Sequence, residues 1–289
     1  MRPWPTIRVG LRRIPVRLEP VTSQIFVVDA FSYGRFRGNP AGVVPLEPGD
    51  APDPAWMQEI AAEMRHSETA YLEPRADGSF GLRWFTPEVE VDLCGHATLA
   101  SAHVLYETER LAPDTPAVFH TRGGVLMATR ELDGAVRLDF PAAPPEPSDA
   151  PAGLLDALGI AKAESLRTDG QFFMLVAPDA AIVRDLAPDF RALLALSDVR
   201  GVYVTAAADD GEFDIVSRCF GPRVGIDEDP VTGSMHCVLA PYWCERLGRT
   251  ELRAQQASAR GGAMRVRIAG DRALLTGYSL TALRGELLL

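Results

Sequence analysis

The sequence predicts an α+β protein of two pseudo-symmetric lobes, each a curled, barrel-like β-sheet around a central helix. The main observation is an internal repeat, because Arg83–Val89 aligns with Arg218–Val224 at a constant offset of 135 residues. Each copy is followed by an apolar segment rich in small residues, which is typical of a buried helix and begins at Gly95 in the first copy and at Gly233 in the second. Strand-like segments flank this helix in both halves, so each sheet can surround its helix.

The repeat also predicts a binding cleft. Asp92 matches Asp227 at the same offset, and a three-residue insertion then brings Gly95 onto Gly233. A helix N-terminus carries unpaired backbone N–H groups and a partial positive charge, so it can hold a carboxylate. Two such helix starts related by a pseudo-twofold axis would face one cleft between the lobes, where ligand sites are common. We therefore expect a small anionic substrate there.

The chain length of 289 residues suits two domains, and 47% hydrophobic residues suffice for two cores. Residues 1–23, rich in Arg and Pro, are predicted to be an extension without regular structure. The first lobe is placed at 24–140, the Pro-rich linker at 141–151 and the second lobe at 152–289. The C-terminal strands of the second lobe could cross back to the first lobe.

Elements of the first lobe follow from apolar periodicity and turn residues. Asp53-Pro54 can begin a helix, and apolar residues recur every four positions from Trp56 through Ile60 to Met64. The other predicted elements are strands at 25–31, 43–44, 69–72, 80–85 and 118–121, a helix at 97–107 and a hairpin at 125–140 that turns at Asp133-Gly134.

The second lobe repeats this mixture of strands and helices. Its predicted helices lie near 154–158 and at 233–247. Its predicted strands are 172–176, 201–205 and 214–220, followed by a closing hairpin of 264–268 and 272–277.

Composition excludes several classes of function. A formal net charge of −10 argues against nucleic-acid binding, which normally needs a basic face. No apolar run approaches the roughly 18 residues of a membrane span, so no membrane association is expected. The four cysteines lack both a disulfide framework and paired zinc-ligand spacing, which favours a reducing cytoplasm; they are Cys94, Cys219, Cys237 and Cys244.

Four short motifs occur in a fixed order along the chain. They are Gly38-Asn39-Pro40-Ala41, Ser67-Glu68-Thr69, Cys94-Gly95-His96-Ala97-Thr98 and Asp229-Pro230-Val231-Thr232-Gly233-Ser234. In this order and spacing they resemble the PhzF-like (phenazine biosynthesis) family of the diaminopimelate epimerase-like fold, from residue 24 to the end. The resemblance implies a homodimeric isomerase without metal or organic cofactor. The characterised member of the family isomerises trans-2,3-dihydro-3-hydroxyanthranilate.

The resemblance also assigns roles to residues of these motifs. It implies that Glu68 is the general base and that His96, Asp229 and Ser234 assist it. The residues expected to bind substrate are Asn39, Ser67, Gly95, Ala97, Thr232 and Gly233.

The chemistry of a carboxylate at Glu68 fits an isomerase without reference to the family. Moving a double bond needs a carboxylate that takes a proton from one carbon and returns it to another on the same face, and burial can raise its pKa toward neutrality for this task. From the residues alone, Glu68 is equally well a surface residue closing a helix. His96, Asp229 and Ser234 likewise have ordinary interpretations, as a first-turn polar residue, a turn residue and a helix-start residue.

Cys94 supports an alternative function. Racemases of this fold use two opposed cysteines, each before a Gly at a helix start, whereas this chain has Cys94 before Gly95 but Thr232 before Gly233. A Cys/Thr pair resembles the hydroxyproline dehydratases, so an epimerase or dehydratase stays open. Cys94 also fits a buried small residue.

Two further interpretations concern binding. His96 and His103 could share a helix face with Cys94, but no carboxylate joins them at ligand spacing, so no metal site is predicted. A protein with this cleft could also bind a metabolite or a partner protein without catalysis.

Overall fold

A computed structural model describes residues 22–168 and 171–288. Thr22 and Ser23, assigned above to the N-terminal extension, lie in the first strand. Residues 1–21 of the predicted extension lie outside the described residues. Within the described ranges, no helix is long and apolar enough to cross a membrane.

The first half of the chain folds into two helices and eight strands over its described residues. Asp53 caps the first helix through a bond from the Ala55 N–H to its Oδ1 (2.9 Å), and Arg65 ends this helix in the left-handed region at φ 54°. The elements are β1 (Thr22–Ala30), β2 (Asn39–Pro45), α1 (Pro54–Met64), β3 (Glu68–Pro74), β4 (Phe80–Phe85), β5 (Glu90–Val91), α2 (Gly95–Glu107), β6 (Ala117–Thr121), β7 (Gly124–Arg130) and β8 (Val136–Pro141).

The second half repeats the pattern with additional short helices. Its described elements are β9 (Glu146–Pro147), α3 (Leu154–Leu158), β10 (Glu164–Arg167), β11 (Phe172–Val176), α4 (Ala180–Arg184), α5 (Phe190–Ala195), β12 (Gly201–Ala207), β13 (Ile215–Gly221), β14 (Ile226–Asp229), α6 (Gly233–Leu247), β15 (Glu251–Gln256), β16 (Gly262–Ala269), β17 (Arg272–Gly277) and β18 (Ser279–Leu288).

Strand pairing gives the two lobes the same topology. In the first lobe β2 and β3 are parallel, β3 and β4 antiparallel, and β4 and β6 parallel. In the second lobe β11, β12, β13 and β15 repeat these three relations in order. The two pseudo-symmetric lobes predicted from the repeat are therefore present.

Side chains repeat along with the strands. Arg83 pairs with Glu90 at 2.8 Å and lies 5.1 Å from the centre of the Phe85 ring. In the second lobe, the corresponding Arg218 pairs with Glu228 at 2.7 Å and lies 4.9 Å from the centre of the Phe220 ring. Each arginine thus joins two strands by a bidentate ion pair and covers an aromatic ring.

One detail of the predicted repeat is wrong. Trp84 pairs with Val91 in the first lobe, and Cys219 pairs with Asp229 in the second, so Asp229 corresponds to Val91. The three-residue insertion therefore precedes β14, and Asp92 does not match Asp227. A register shift after Phe220 and a 3-10 turn at Pro222–Val224 accommodate the insertion.

Both central helices are buried inside their sheets. Ten residues of α2 and nine of α6 are buried, which explains why neither helix shows a one-sided apolar pattern. The helices meet at their starts, where a Cβ on Gly95 would lie 3.5 Å from the Gly233 Cα. The two positively polarised helix ends thus lie side by side between the lobes.

The lobes are joined by strands. β8 of the first lobe pairs antiparallel with β17, and β18 returns to pair with β1 along its length. The last strand of the described chain thus lies beside the first one. β18 itself was not predicted, because much of both of its faces is exposed and its residues lack a clear apolar alternation.

The segment after β8 is tied to the second lobe. Pro241 lies inside α6 and has no N–H to bond the Cys237 carbonyl, so this carbonyl accepts the Ala143 N–H instead (3.0 Å). Ala142 donates its N–H to the Asp271 carbonyl at 2.8 Å. The start of the segment predicted as a linker is therefore fixed against α6 and the β16–β17 turn.

Candidate active site

A cavity of about 470 Å³ lies where the two helix starts meet. Its size is within the range of small-molecule sites. The residues that line it include Glu68, Leu93, Cys94, Gly95, His96, Phe140, Thr168, Phe172, Tyr203, Cys219, Asp229, Thr232, Gly233, Ser234, Cys237 and Val238.

Glu68 is the first residue of β3 and pairs with Ala41 of β2. Its side chain is only 13% exposed, and burial raises its pKa to about 7, with the nearby Asp229 carboxyl adding to the rise. A hydrogen bond with the Cys94 thiol opposes this shift. Glu68 is therefore a carboxyl group that can exchange protons near neutral pH.

His96 is the second residue of α2 and faces Glu68. Its Nε2 lies 3.2 Å from the Glu68 Oε2, but the two atoms are not aligned as a hydrogen bond and have no other such partner among the described residues. Burial lowers the pKa of His96 to about 3, so the ring is neutral. Both groups are thus available to a ligand.

Asn39 holds the two lobes of the site together. Its amide nitrogen donates to the Asp229 Oδ1 at 2.8 Å and to the Val231 carbonyl at 2.9 Å. The same nitrogen lies 3.3 Å from the Nδ1 of His96, which places the acceptor side of the ring toward Asn39. The His96 proton then resides on Nε2, toward Glu68.

Asp229 ends β14 and is held from two directions. The Thr232 hydroxyl donates to its Oδ2 at 2.5 Å, and Asn39 donates to its Oδ1. Burial nevertheless raises the pKa of Asp229 to about 6. Two acidic groups with raised pKa values therefore line one cavity, an arrangement frequent at functional sites.

Gln256 supports the second-lobe motif and was not predicted from the sequence. It is buried at the end of β15, donates to the Asp229 carbonyl at 2.7 Å and accepts the Thr232 N–H at 2.7 Å. These two bonds fix the turn between β14 and α6. Nothing local in the sequence distinguishes Gln256 from an ordinary strand residue.

Comparisons with known proteins identify the family of the chain. The phenazine biosynthesis-like protein family matches residues 28–285. The chain belongs to this family. It is 45% identical to an uncharacterized isomerase of Halalkalibacterium halodurans, covering 93% of this chain and 100% of the relative.

Solved structures show which fold this chain shares with known proteins. A PhzF-family protein of Enterococcus faecalis aligns with a TM-score of 0.86 and 40% identity, over 93% of this chain and 100% of that one. A hydroxyproline epimerase from Agrobacterium vitis aligns with a TM-score of 0.58 at 13% identity, over 93% of each chain, which shows a shared fold alone. The predicted epimerase-like fold is confirmed.

The structure brings most of the predicted site residues of this family member to the cavity. Those that line it are Glu68, Cys94, Gly95, His96, Asp229, Thr232, Gly233 and Ser234. The other three predicted residues are not among the lining residues. Asn39 lies behind Asp229 and His96, Ser67 places its hydroxyl 3.5 Å from the Asn39 Oδ1, and Ala97 is fully buried in α2.

A possible metal-ligand set differs from the one considered in the sequence. Glu68, Cys94 and His96 bring a carboxylate oxygen, a sulfur and a ring nitrogen within 4.8 Å of one another. The Cys94 Sγ lies 3.5 Å from the His96 Nδ1, and burial raises the pKa of this thiol well above its usual range. A metal ion would have to replace these contacts and displace the thiol proton.

The glycines at the helix starts allow a test of ligand approach. A Cβ on Gly233 would make only ordinary contacts, 3.6 Å from the Gly95 Cα and from the Leu275 Cδ2. We expect Gly233→Ala to change the free energy of unfolding by less than about 1 kcal/mol. We expect it to weaken binding of a carboxylate probe such as benzoate by about tenfold, since Gly233 lines the cavity and the added methyl group narrows the gap between the two helix starts.

Gly262→Ala is the matched control. Its Cβ would overlap the Val231 Cγ2 and lie 2.9 Å from the Phe31 carbonyl oxygen, so we expect a loss of about 1–3 kcal/mol in stability. Denaturant unfolding and calorimetric titration measure the two quantities. Unchanged benzoate affinity in Gly233→Ala would show that the ligand does not approach this helix start.

Proposed function

We propose that this protein is a cofactor-independent isomerase that moves a proton on a small carboxylate substrate, with Glu68 as the general base. The family and a relative named as an isomerase support an isomerase-type activity. The observation that carries the proposal is Glu68, a buried carboxyl group with a pKa of about 7 that opens into the cavity beside two helix N-termini. A trans-2,3-dihydro-3-hydroxyanthranilate-like acid is the first substrate to test.

The proposed reaction needs one base. Glu68 takes the proton of a carbon–hydrogen bond, and the electron pair of that bond shifts into a new carbon–carbon double bond. The old double bond opens, and its electrons take a proton from Glu68 at a second carbon. Glu68 lines the cavity, so its carboxyl proton can exchange with solvent between the two steps, which brings deuterium into the substrate in D₂O. The substrate is isomerised without gain or loss of atoms, and Glu68 is ionised again.

The second lobe supports a one-face transfer. Thr69 pairs with Phe85 as Val202 pairs with Phe220, so the counterpart of Glu68 in the second lobe is Gly201. A glycine cannot act as an acid or base. This asymmetry supports removal and return of the proton on one face.

The remaining polar groups can position the substrate. The N–H groups at the starts of α2 and α6 suit its carboxylate. The neutral His96 can donate its Nε2–H to a heteroatom, and Ser234 lines the same cavity. Asp229, held by Asn39 and Thr232, can accept a bond from an amino or hydroxyl substituent.

The alternative enzyme would use Cys94 opposite Thr232. Both residues line the cavity, which favours keeping this candidate. However, burial and the nearby Glu68 raise the pKa of Cys94, which disfavours the thiolate, and the Thr232 hydroxyl is bonded to Asp229. These contacts favour Glu68 as the base. The predicted homodimer and cytoplasmic location stay predictions.

Deuterium incorporation in D₂O, followed by NMR, tests the proposal. Wild type and Cys94→Ala are incubated with cyclohexadiene carboxylates, hydroxyprolines and amino acids. We expect deuterium exchange or isomerisation of a cyclohexadiene carboxylate by both proteins, with rates within about tenfold of each other. Activity that is lost in Cys94→Ala would favour the epimerase or dehydratase, and binding without exchange across the panel would favour a non-catalytic binding protein.

A further inference from the structure

The second lobe has an aromatic cavity wall at the position equivalent to Glu68 of the first lobe. At Gly201, the counterpart of Glu68, a Cβ would lie 2.7 Å from the Cδ1 of the Phe172 ring. The Phe172 ring thus takes the place of a side chain at this position, and it stacks on Tyr203 with ring centres 5.3 Å apart and planes 26° apart. Both rings line the cavity.

Tyr203 differs from two other buried tyrosines of the protein. The Tyr71 hydroxyl donates to the Met57 carbonyl at 2.6 Å, and the Tyr106 hydroxyl donates to the Thr115 carbonyl at 3.0 Å. The Tyr203 hydroxyl has no hydrogen-bond partner within the part of the chain that the structure describes, although the residue is only 7% exposed. The hydroxyl oxygen is not fully enclosed by protein atoms and belongs to a side chain that lines the cavity, so it can donate to a ligand there.

The charges of the cavity limit the ligand further. Among the described residues that line it, none is Lys or Arg, whereas Glu68 and Asp229 are acidic. One carboxylate can be held by the helix starts. A second anionic group would face the aromatic wall or an acidic side chain without a counter-charge.

From these three observations we infer that Phe172 and Tyr203 form a specificity subsite for an apolar ring or branched alkyl group that carries a hydrogen-bond acceptor, on a substrate with a single carboxylate. This inference rests on the proposed function for the identity of the ligand as substrate. The ring of the ligand packs against the Phe172 and Tyr203 rings, and the Tyr203 hydroxyl donates to the acceptor.

Binding to the Glu68→Gln protein tests the subsite without turnover. Isothermal titration calorimetry compares three probes: cyclohex-3-ene-1-carboxylate, 4-oxocyclohexane-1-carboxylate and cyclohexane-1,4-dicarboxylate. We expect the dicarboxylate to bind at least about tenfold more weakly than the two monocarboxylates. A dicarboxylate that binds as tightly as they do would overturn the single-carboxylate assignment.

Tyr203→Phe, added to Glu68→Gln, isolates the hydroxyl. We expect affinity for the 4-oxo acid to fall about three- to tenfold, the net value of one hydrogen bond, and affinity for the cyclohexene acid to stay unchanged. Phe172→Leu, in the same Glu68→Gln protein, should weaken the binding of both acids. Equal affinities for the 4-oxo acid with and without the hydroxyl would overturn the inference.

Tyr71→Phe is the matched control, because its hydroxyl bonds within the protein and is not among the groups that line the cavity. It should lower the unfolding midpoint without changing any probe affinity. Failure of the proposed isomerase is distinguishable, since it would appear as absent deuterium exchange in a protein whose probe preferences still follow this subsite.

Discussion

Glu68→Gln is expected to lower the rate of carbon–hydrogen exchange by about 10²–10⁴-fold, the usual contribution of a positioned general base. Gln keeps the size and polarity of the side chain, so the substrate should still bind. The loss should therefore appear in kcat more than in KM. Deuterium exchange by NMR on a substrate found with wild type measures it.

Glu73→Gln is the control, since Glu73 is an exposed residue of the same strand. The Glu73→Gln protein should exchange deuterium into the substrate at the wild-type rate. Exchange that survives Glu68→Gln would contradict Glu68 as the base.

The same carboxyl group should set the pH dependence of wild-type activity. A base must be ionised to accept a proton, and burial raises the pKa of Glu68 to about 7. We therefore expect kcat/KM to rise with pH up to about 7 and to level off above it, as long as the substrate itself does not titrate there.

Stability should show the opposite trend. The pKa of Glu68 rises from 4.5 in a free side chain to about 7 in the folded protein, so the folded state favours the protonated form. The free energy of unfolding should fall as pH rises from about 4.5 to about 7, and Glu68→Gln should flatten part of this slope. Denaturant unfolding across this window measures the difference.

Much of the fold could be predicted from local patterns. The helices at 154–158 and 233–247 have the predicted bounds, because each is ended by a glycine in the left-handed conformation, Gly159 and Gly248 respectively. β18 was missed because its pairing with β1 is decided by a contact more than 200 residues away in sequence, as Asp29 with Leu280 shows. Its own residues carry no clear alternation.

The site was predictable only where a motif carried it. Glu68, His96 and Asp229 lie in motifs, and the structure places all three at one cavity. Gln256 and Tyr203 lie in strands that look ordinary in the sequence, and their importance depends on contacts across the lobe. Similarly, the Asp92 and Asp227 match failed because identical residue types do not reveal where a bulge changes the register.

Asn39→Asp is expected to destabilise the protein by about 3–5 kcal/mol above neutral pH, the range for an unpaired buried charge. The wild-type amide nitrogen donates to the Asp229 Oδ1 at 2.8 Å and is fully buried. Replacing this donor with a carboxylate oxygen puts two acids in contact and leaves the Val231 carbonyl without its donor. Denaturant unfolding at pH 8 measures the loss.

Acid should partly reverse this effect. Two buried carboxyl groups in contact share a proton, which raises their pKa above the unfolded value, so the cost is present at high pH and diminishes as pH falls. Since Asp229 alone already has a pKa of about 6, the difference in the free energy of unfolding between Asn39→Asp and wild type should begin to close near or above that pH.

Two variants are controls for this prediction. Asn39→Ala removes the donor without adding charge and should show a smaller, less pH-dependent loss of stability. Ser67→Ala, which alters only a 3.5 Å contact to Asn39, should be nearly neutral. An Asn39→Asp protein as stable as wild type at pH 8 would show that Asn39 does not link Asp229 to the first lobe.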